Sequence, residues 1–443
     1  MPTTKYLHVV WNKKLVGTLQ QEVNTDSIMF KYDEDWLSNQ LPAISLSLPL
    51  QQNCHDSNST KNFFGNLTPE GESLSDFSTF RRLSKGDLFS FLKHYGHETA
   101  GALSVFDPSN PPRADEITYK DVTQAVLENM SKPKHKQINL ILATNAKMSL
   151  AGAQNKLPVC LKDDKILIPD EFSSAATTHI IKPPSTRFPN MTLNEAFCLD
   201  LARQVGLPVP DSRILFLEKY PVFVVARYDR FLDENKIWQR SHQEDFCQAL
   251  NINKILKYQE SGGPGFLKCT DLLLNKVHIL KNEHGNFIKS VLYNFFIGNC
   301  DAHAKNYSLL YSINQINEYN FSATISLSPF YDLVSTLFYK ELSKDMAMFF
   351  GRSKTHGLIA LESIEMLLAD LQVDEDHFND LFEDLKIKIK QNIDLVIQKH
   401  IFDYGDSHIY NTLKKIINSN INIFSKQLLL FYKSKHSAKF RPG

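Results

Sequence analysis

The first quarter of the chain carries short apolar–polar alternations and then helical patterns. KYLHVVWNKKLVGTLQQ and SIMFKYDEDWL are β-type runs broken by Asn, Lys and Asp, which predicts a small N-terminal sheet. Between Phe63 and Phe106 the pattern becomes helical, with GDLFSFLKHYG followed by GALSVF. The stretch 107–116, DPSNPPRADE, holds three prolines, so it predicts a loop and a domain boundary close after it.

The middle of the chain has the pattern of antiparallel β structure. KLPVCL and KILIP flank KDD as strands flank a hairpin turn, THIIKPP is a short strand ended by proline, and PVFVVARYDRF is rich in β-branched residues. The segment TLNEAFCLDLARQVG predicts a helix that ends at Gly206, because Pro208 follows soon after. From about Leu358 onward, apolar residues recur at helical spacing.

Together these elements predict an α+β protein in three parts. The expected parts are a β-rich N-terminal subdomain (1–110), a mixed region (111–255) and a helical C-terminal region (256–443). The chain has 443 residues, of which 42% are hydrophobic, so it can supply proper cores for several domains.

Charge and cysteine content narrow the class of protein. The 49 basic and 49 acidic side chains cancel, so nothing favours general adhesion to nucleic acid. From Asn411 onward there are seven Lys or Arg and no acid, which fits a solvated helix face better than a DNA site. The six cysteines form no CxxC pair, which indicates free thiols in a reducing compartment. Without a secretory leader or a run of about 18 apolar residues, we expect a soluble, cytoplasmic protein with no membrane partner.

The stretch FFIGNCDAHAKNYSLLY concentrates polar side chains between two apolar runs. Within six residues it holds Asp301, His303, Lys305 and Asn306. A solvated surface loop is the simplest interpretation. However, Asp301 and Asn306 have the separation of the catalytic Asp and the metal-binding Asn in protein-kinase catalytic loops. Asp and Asn at this spacing also arise by chance, so the pair alone is weak evidence.

Two further residues have positions that suit phosphoryl transfer. Asp332 follows the apolar approach of LSPFY, where its carboxylate can hold magnesium on phosphates, although it can equally cap a helix that begins at Leu333. Lys182 ends the strand in THIIKPP, where it can neutralise phosphates or simply extend its amine to solvent.

Two small-residue segments are candidate phosphate loops. SLAGAQNK contains Ser149, Gly152 and Gln154, and its small side chains would let backbone N–H groups approach phosphate oxygens, although a plain turn fits as well. SGGPGF, residues 261–266, is interpreted as a turn. Cys300, Asp301 and His303 can imitate metal ligands, but no second cluster at zinc spacing accompanies them, so a zinc site is not predicted.

Taken together, the motifs resemble those of the HipA-type toxin kinases of bacterial toxin–antitoxin pairs. The matching segments, in the family's order, are FFGNLTPEGE, GHETAGAL, SLAGAQNK, THIIKPP, VARYDR, QEDFCQAL, KYQESGGPG, GNCDAHAKNYSLL and LSPFYDLVST. They extend from about Phe63 to Thr336, and VWNKKLVGTL, FKYDEDWL and LSLSLPL suit the family's N-terminal subdomain. The resemblance implies a protein-kinase-like two-lobed fold, similar to that of phosphatidylinositol kinases.

The resemblance also implies roles for individual residues. Asp301 would orient the acceptor hydroxyl, Asn306 and Asp332 would hold Mg²⁺, and Ser149 would be an autophosphorylation site that switches the kinase off. The implied ATP-binding residues are Ala151, Gly152, Ala153, Gln154, Lys182, Ala226, Tyr228, Asp229 and His303. Among them, the segment 226–229 would form the hinge beside adenine, with Asp229 near the ribose.

Two residues depart from the pattern that the resemblance leads us to expect. Ala226 stands where we expect Glu, which matters only if the hinge uses that carboxylate. Asn155 replaces an acid that we expect in the phosphate loop, and this change does not undermine the assignment.

The implied function is an ATP- and Mg²⁺-dependent serine/threonine protein kinase acting as a toxin. Its partners would be a small helix-turn-helix antitoxin similar to HipB, operator DNA reached mainly through that antitoxin, and a protein substrate such as an aminoacyl-tRNA synthetase. Three other hypotheses use the same residues. They are a small-molecule phosphotransferase, a kinase-fold module that binds antitoxin and DNA without catalysis, and a metal-dependent hydrolase.

Overall fold

The structure is a computed structural model that describes most of the chain. The described residues are 4–11, 13–22, 25–84, 86–113, 116–131, 155–162, 165–170, 173–185, 187–217, 220–317 and 320–439. The helices are α1 (Glu34–Ser38), α2 (Ser57–Asn66), α3 (Gly71–Arg81), α4 (Leu88–Tyr95), α5 (Gln124–Ser131), α6 (Met191–Gln204), α7 (Phe246–Ala249), α8 (Phe266–Asp271), α9 (Lys281–Ile297), α10 (Leu361–Asp370), α11 (Glu375–Tyr404) and α12 (His408–Lys439).

Within the described residues, the strands form five sheets. They are β1 (Thr4–Trp11), β2 (Lys14–Glu22), β3 (Ile28–Tyr32), β4 (Leu103–Phe106), β5 (Tyr119–Asp121), β6 (Leu157–Lys162), β7 (Lys165–Pro169), β8 (His179–Lys182), β9 (Ser212–Leu217), β10 (Tyr220–Ala226), β11 (Arg230–Leu232), β12 (Trp238–Arg240), β13 (His242–Asp245), β14 (Ser308–Asn317), β15 (Asn320–Leu327), β16 (Asp345–Phe350) and β17 (Ser353–Thr355). The two largest sheets have the orders β3-β2-β1-β4 and β5-β7-β6-β8-β10-β9.

The chain divides into two compact units. The first comprises Met1–Arg187, Leu215–Lys254 and Ser308–Ser326, and the second comprises Phe188–Ile214, Ile255–Tyr307 and Leu327–Gly443. The predicted division into three parts at about residues 110 and 255 stays a prediction.

In the first unit, the N-terminal sheet follows the alternation read from the sequence. Leu7, Val9 and Trp11 of β1 are buried, because every second side chain of the strand points to the same face. The predicted hairpin is confirmed, since β6 pairs with β7 and Lys162 lies opposite Lys165. A hydrophobic core joins α3 and α4 to the six-stranded sheet. Its buried members are Phe77, Phe91, Tyr95, Val122, Val126, Leu157, Val159, Ile168, Ile181, Val222 and Val224.

PVFVVARYDRF was expected to form one strand, but it is interrupted. Strand β10 ends at Ala226, and β11 begins only at Arg230. Arg227 and Asp229, in the break, are buried and bonded to each other, so ion pairing overrides the local preference for an extended strand.

The second unit is centred on α9, which is buried along most of its length. Phe295 and Phe296 of α9 pack against Phe424 of α12, with ring centroids 5.6 and 6.2 Å apart. The helix predicted before Gly206 is confirmed as α6, and Gly206 follows with φ +85°. The region 256–443 also holds strands β14 to β17, so helices dominate it only after Leu358. No helix within the described ranges is long and apolar enough to cross a membrane.

Candidate active site

The loop that carries Asp301 begins where α9 is forced to stop. Gly298 caps the helix in the left-handed region, at φ 72°, and its N–H bonds back to Phe295. A side chain at this position would place its Cβ 2.7 Å from Cδ1 of Leu337. Glycine is therefore required both by the backbone angle and by the space. The residues after Gly298 leave the helix and lead into the loop 301–306.

The loop 301–306 is held by its own hydrogen bonds. The N–H of His303 donates to the carbonyl of Asp301 at 2.8 Å, and the N–H of Asn306 donates to the carbonyl of His303 at 2.9 Å. The Nδ2 of Asn306 also reaches the carbonyl of Asp301, at 3.1 Å. Asp301 remains exposed, while His303 is buried. The loop thus exposes the carboxylate of Asp301 to solvent and orients the side-chain amide of Asn306.

Asn299 joins this loop to the segment that carries Asp332. Its Nδ2 donates to Oδ1 of Asn294 at 2.8 Å and to the carbonyl of Asp332 at 3.1 Å. Its Oδ1 accepts the N–H of Asp301 at 3.2 Å. Since Asn299 is buried, these three bonds fix the backbones of the two acidic residues relative to each other.

Asp332 has a left-handed backbone conformation. Its φ is 53°, a left-handed angle that residues other than Gly, Asn and Asp seldom adopt. No helix begins at Leu333, so the alternative that Asp332 is a helix cap is wrong. Tyr331, the residue before Asp332, is bonded to the loop 301–306. Its hydroxyl donates to the carbonyl of Lys305 at 2.8 Å. Asp332 and the loop 301–306 are therefore held next to each other through backbone carbonyls.

The donor set of this cluster fits Mg²⁺. Because the Nδ2 of Asn306 donates to the carbonyl of Asp301, its Oδ1 is turned away from that carbonyl. With the Asp332 carboxylate, this offers two candidate oxygen ligands on adjoining segments. Mg²⁺ in kinases takes few protein ligands because substrate phosphates complete its shell. Within the described part of the chain, no group of three or more His, Cys, Asp or Glu side chains gathers at metal-binding distance.

The exposed carboxylate of Asp301 is hydrogen-bonded to a tyrosine. The hydroxyl of Tyr258 donates to Oδ1 of Asp301 at 2.9 Å. The ring of Tyr258 also meets His303 edge to face, with centroids 5.3 Å apart. Tyr258 was not singled out in the sequence, because it lies more than 40 residues from Asp301 along the chain.

In the first unit, Lys182 is placed by strand pairing. It ends β8 opposite Phe223 of β10, and its amine lies 5.9 Å from the centroid of that ring. The side chain is buried, with 6% of its surface exposed, so the interpretation as a solvent-directed lysine is wrong. The ring of Phe223 lies within the distance at which an aromatic face attracts an ammonium group.

The expected hinge residues lie on and after β10. Ala226 pairs with His179, and the hydroxyl of Tyr228 donates to Oε1 of Gln243. Asp229 was expected near the ribose, but its carboxylate is buried and bonded within the protein. Its carboxylate accepts bonds from Arg227 at 2.8 Å and from the N–H of Gly101 at 2.7 Å, and only 3% of the residue is exposed. The ribose contact therefore stays a prediction, while a structural role is visible.

Asp229 belongs to a cluster of buried charges. Its other members are Glu98, Arg227, Arg230 and Arg240. Burial by itself raises the pKa of the Glu98 carboxyl, but Arg240, Arg230 and Arg227 outweigh burial and lower that pKa to about 2. Glu98 is therefore ionised at neutral pH, and GHETAGAL and VARYDR are sequence motifs that meet in one ion network.

Some predicted site residues cannot be placed. Ser149, Ala151, Gly152, Ala153 and Gln154 lie outside the described residues. Of the predicted residues that are described, the structure brings together Asp301, His303, Asn306 and Asp332 in the second unit, and Lys182, Ala226, Tyr228 and Asp229 belong to the first.

Asn299 and Tyr258 were missed by the sequence reasoning. Asn299 left a weak signal, since it is an amide just after an apolar helix and only two residues before Asp301.

Comparison with known proteins gives the family. Residues 7–106 match the HipA N-terminal domain, and residues 148–393 match the HipA-like C-terminal domain. A protein of Sinorhizobium fredii named "Putative kinase Y4mE" is 35% identical over 80% of this chain and 82% of its own length. The serine/threonine-protein kinase toxin HipA of Shewanella oneidensis is 26% identical over 75% of this chain and 76% of its own.

A solved structure shows the same fold. The chain matches one from the complex of HipA, HipB and operator DNA of Shewanella oneidensis MR-1 with a TM-score of 0.76 and 22% identity. The match covers 94% of this chain and 96% of that one. The predicted α+β, protein-kinase-like fold is confirmed. The chain belongs to the HipA family of toxin kinases, and it is a protein kinase.

Proposed function

We propose that the chain transfers the γ-phosphoryl group of ATP, with Mg²⁺, to serine or threonine hydroxyls of a protein, as the toxin of a toxin–antitoxin pair. The observation that carries this proposal is the cluster around Asp301. It combines the exposed carboxylate of Asp301, an Asn306 amide bonded to the Asp301 carbonyl, and Asp332, whose backbone buried Asn299 links to that of Asp301. Phosphoryl transfer needs this kind of positioning more than covalent chemistry.

Each residue of the cluster has a distinct task in the proposal. Asp301 accepts a hydrogen bond from the acceptor hydroxyl and aims its oxygen at the phosphorus. Asn306 and Asp332 would hold Mg²⁺, which neutralises charge on the phosphates when bound. Lys182 is proposed to add a positive charge on the phosphates. His303 and the loop 151–154 are proposed as further phosphate contacts, and the 226–229 segment as the adenine hinge.

Self-inactivation is proposed at Ser149. A phosphoserine carries about −1.5 to −2 charge at neutral pH. Next to a loop that receives ATP phosphates, such a charge would repel the nucleotide or reorganise the loop. The support is the match of SLAGAQNK to the family motif and the family membership of the chain.

The partners are proposed from the solved relative. That structure contains HipA, HipB and operator DNA, so we propose that this chain binds a HipB-like antitoxin, which holds it on DNA. The equal numbers of acidic and basic residues agree with indirect DNA contact. For the cellular substrate we propose a translation-related protein, with an aminoacyl-tRNA synthetase as the first to test.

The proposal is tested by intact mass after incubation with ATP and Mg²⁺. Wild type should gain one phosphate, whereas Asp301→Asn and Ser149→Ala should gain none. Ser149→Ala should also keep phosphorylating other proteins for longer than wild type, because it cannot silence itself. If Ser149→Ala gains phosphate and loses activity at the wild-type rate, the switch lies elsewhere. If wild type transfers phosphate neither to itself nor to any added protein, the kinase proposal fails.

A further inference from the structure

Tyr258 and Asp301 come from separate segments of the second unit, yet their side chains are bonded. The phenolic hydroxyl donates to Oδ1 of Asp301 at 2.9 Å. Among the described residues, no other group donates to this carboxylate. The ring rests edge-on against His303, at an interplanar angle of 75°, so the hydroxyl is supported from the side.

Strand β16 sets the spacing between the two residues. The N–H of Ala347 donates to the carbonyl of Cys300, which precedes Asp301, at 2.8 Å. The N–H of Phe349 donates to Oε1 of Gln259, which follows Tyr258, at 2.7 Å. Backbone N–H groups two residues apart lie on the same edge of an extended strand. The same edge of β16 therefore binds Cys300, which precedes Asp301, and Gln259, which follows Tyr258.

The glycine-rich segment after Tyr258 fixes its backbone. The carbonyl of Tyr258 accepts the N–H groups of Ser261 and Gly263, both at 3.0 Å. A Cβ at Gly263 would lie 2.0 Å from the carbonyl oxygen of Leu256 and 2.7 Å from that of Tyr258. Gly263 therefore allows a close approach that another residue would prevent. The segment interpreted from sequence as a plain turn serves to anchor Tyr258.

We propose that Tyr258 is a positioning residue for Asp301, an inference that rests on the proposed kinase function. Its hydroxyl occupies Oδ1 and limits rotation of the carboxyl group. The second oxygen, Oδ2, accepts no hydrogen bond from the described residues and is left for the acceptor hydroxyl. A carboxylate that points one oxygen at the acceptor reaches the reactive geometry more often than a freely rotating one.

The test is Tyr258→Phe, which removes one oxygen atom and keeps the ring against His303. The rate of phosphate transfer from labelled ATP to the chain and to myelin basic protein is measured at a series of ATP concentrations. These rates give the maximal rate and the half-saturating ATP concentration. The maximal rate should fall roughly tenfold, the size expected when one hydrogen bond to a charged group is lost from the transition state. Half-saturating ATP and the thermal midpoint should stay at wild-type values, because the hydroxyl is not placed on the nucleotide.

Tyr432→Phe is the matched control. It deletes the same atom, and its hydroxyl donates to the carbonyl of Glu375, between α12 and α11. Its maximal rate should equal that of wild type.

The two proposals fail in different ways. If wild type and Tyr258→Phe both transfer nothing, the kinase proposal fails, and this inference fails with it. If wild type is active and Tyr258→Phe keeps a maximal rate within twofold of it, Tyr258 does not position Asp301. A loss of rate that comes with an equal loss of ATP affinity or of thermal stability would also overturn the inference, because it would mark the hydroxyl as merely structural.

Discussion

At the scale of single residues, the site depends on neutral side chains that hold the charged ones. Asp301 and Asp332 were identifiable because acids between apolar segments stand out in a sequence. Asn299 and Tyr258 were not, because their importance comes from contacts with Asp301 and Asp332 that only the folded chain makes. Local patterns do not encode such contacts.

Asn299→Ala tests whether phosphate transfer requires the hydrogen bonds that join Asp301 and Asp332 through Asn299. The substitution removes a buried side chain and leaves the carbonyl of Asp332 and the N–H of Asp301, both in part-buried bonds, without this partner. We expect a loss of about 1–3 kcal/mol in the free energy of unfolding and a transfer rate at least tenfold lower. Urea titration and the labelled-ATP assay measure the two effects.

Asn314→Ala is the control for that experiment. The amide of Asn314 donates to the hydroxyl of Thr324 at 2.9 Å on an exposed strand, so its loss should change neither quantity appreciably. Equal effects of the two substitutions would contradict the role assigned to Asn299.

At the scale of elements, local patterns predicted regular structure well and its interruptions poorly. The β6–β7 hairpin and α6 follow from alternation, turn residues and a glycine stop. The break between β10 and β11 does not, because it is imposed by ion pairs to Glu98, more than 120 residues away in the chain. The charged residues of VARYDR look like surface residues in the sequence but are buried.

Glu98→Gln tests how much this cluster of buried charges contributes to the free energy of unfolding. The variant keeps the shape of the side chain but leaves Arg227 and Arg230 without its charge in a buried site. Removing one partner of a buried ion pair costs about 3–5 kcal/mol, so unfolding should occur at clearly lower urea concentration. Glu116→Gln, which breaks an exposed pair with Arg113, should cost less than about 1 kcal/mol.

The same variant has a defined pH dependence. The pKa of Glu98 is lowered from 4.5 to about 2 in the folded protein, so its ionised form stabilises the fold above about pH 4.5. That stabilisation is lost as the pH falls towards 2. The difference in unfolding free energy between wild type and Glu98→Gln should therefore shrink over this interval. A difference that stays constant would show that the charge of Glu98 is not responsible.

At the scale of the whole molecule, the family, the fold class and the kinase activity could be predicted from the order of the motifs. The motifs are spread from Phe63 to Thr336, and their joint occurrence is specific where each one alone is weak. The neutral total charge agrees with the antitoxin as the proposed main route to DNA, and the lysine-bearing α12 is the place to look for direct contact. The central claim concerns the second unit, where Asp301 is proposed to orient the hydroxyl that attacks ATP.

The most direct test of that claim compares wild type with Asp301→Asn for both ATP binding and phosphate transfer in the same preparation. Calorimetry with ATP and Mg²⁺ gives the dissociation constant, and intact mass with an added acceptor protein gives the transfer. Asp301→Asn should bind ATP within a few-fold of wild type and transfer no measurable phosphate, because it removes the orienting acid and leaves the phosphate contacts in place. Transfer at the wild-type rate by Asp301→Asn would remove Asp301 from the mechanism and contradict the account.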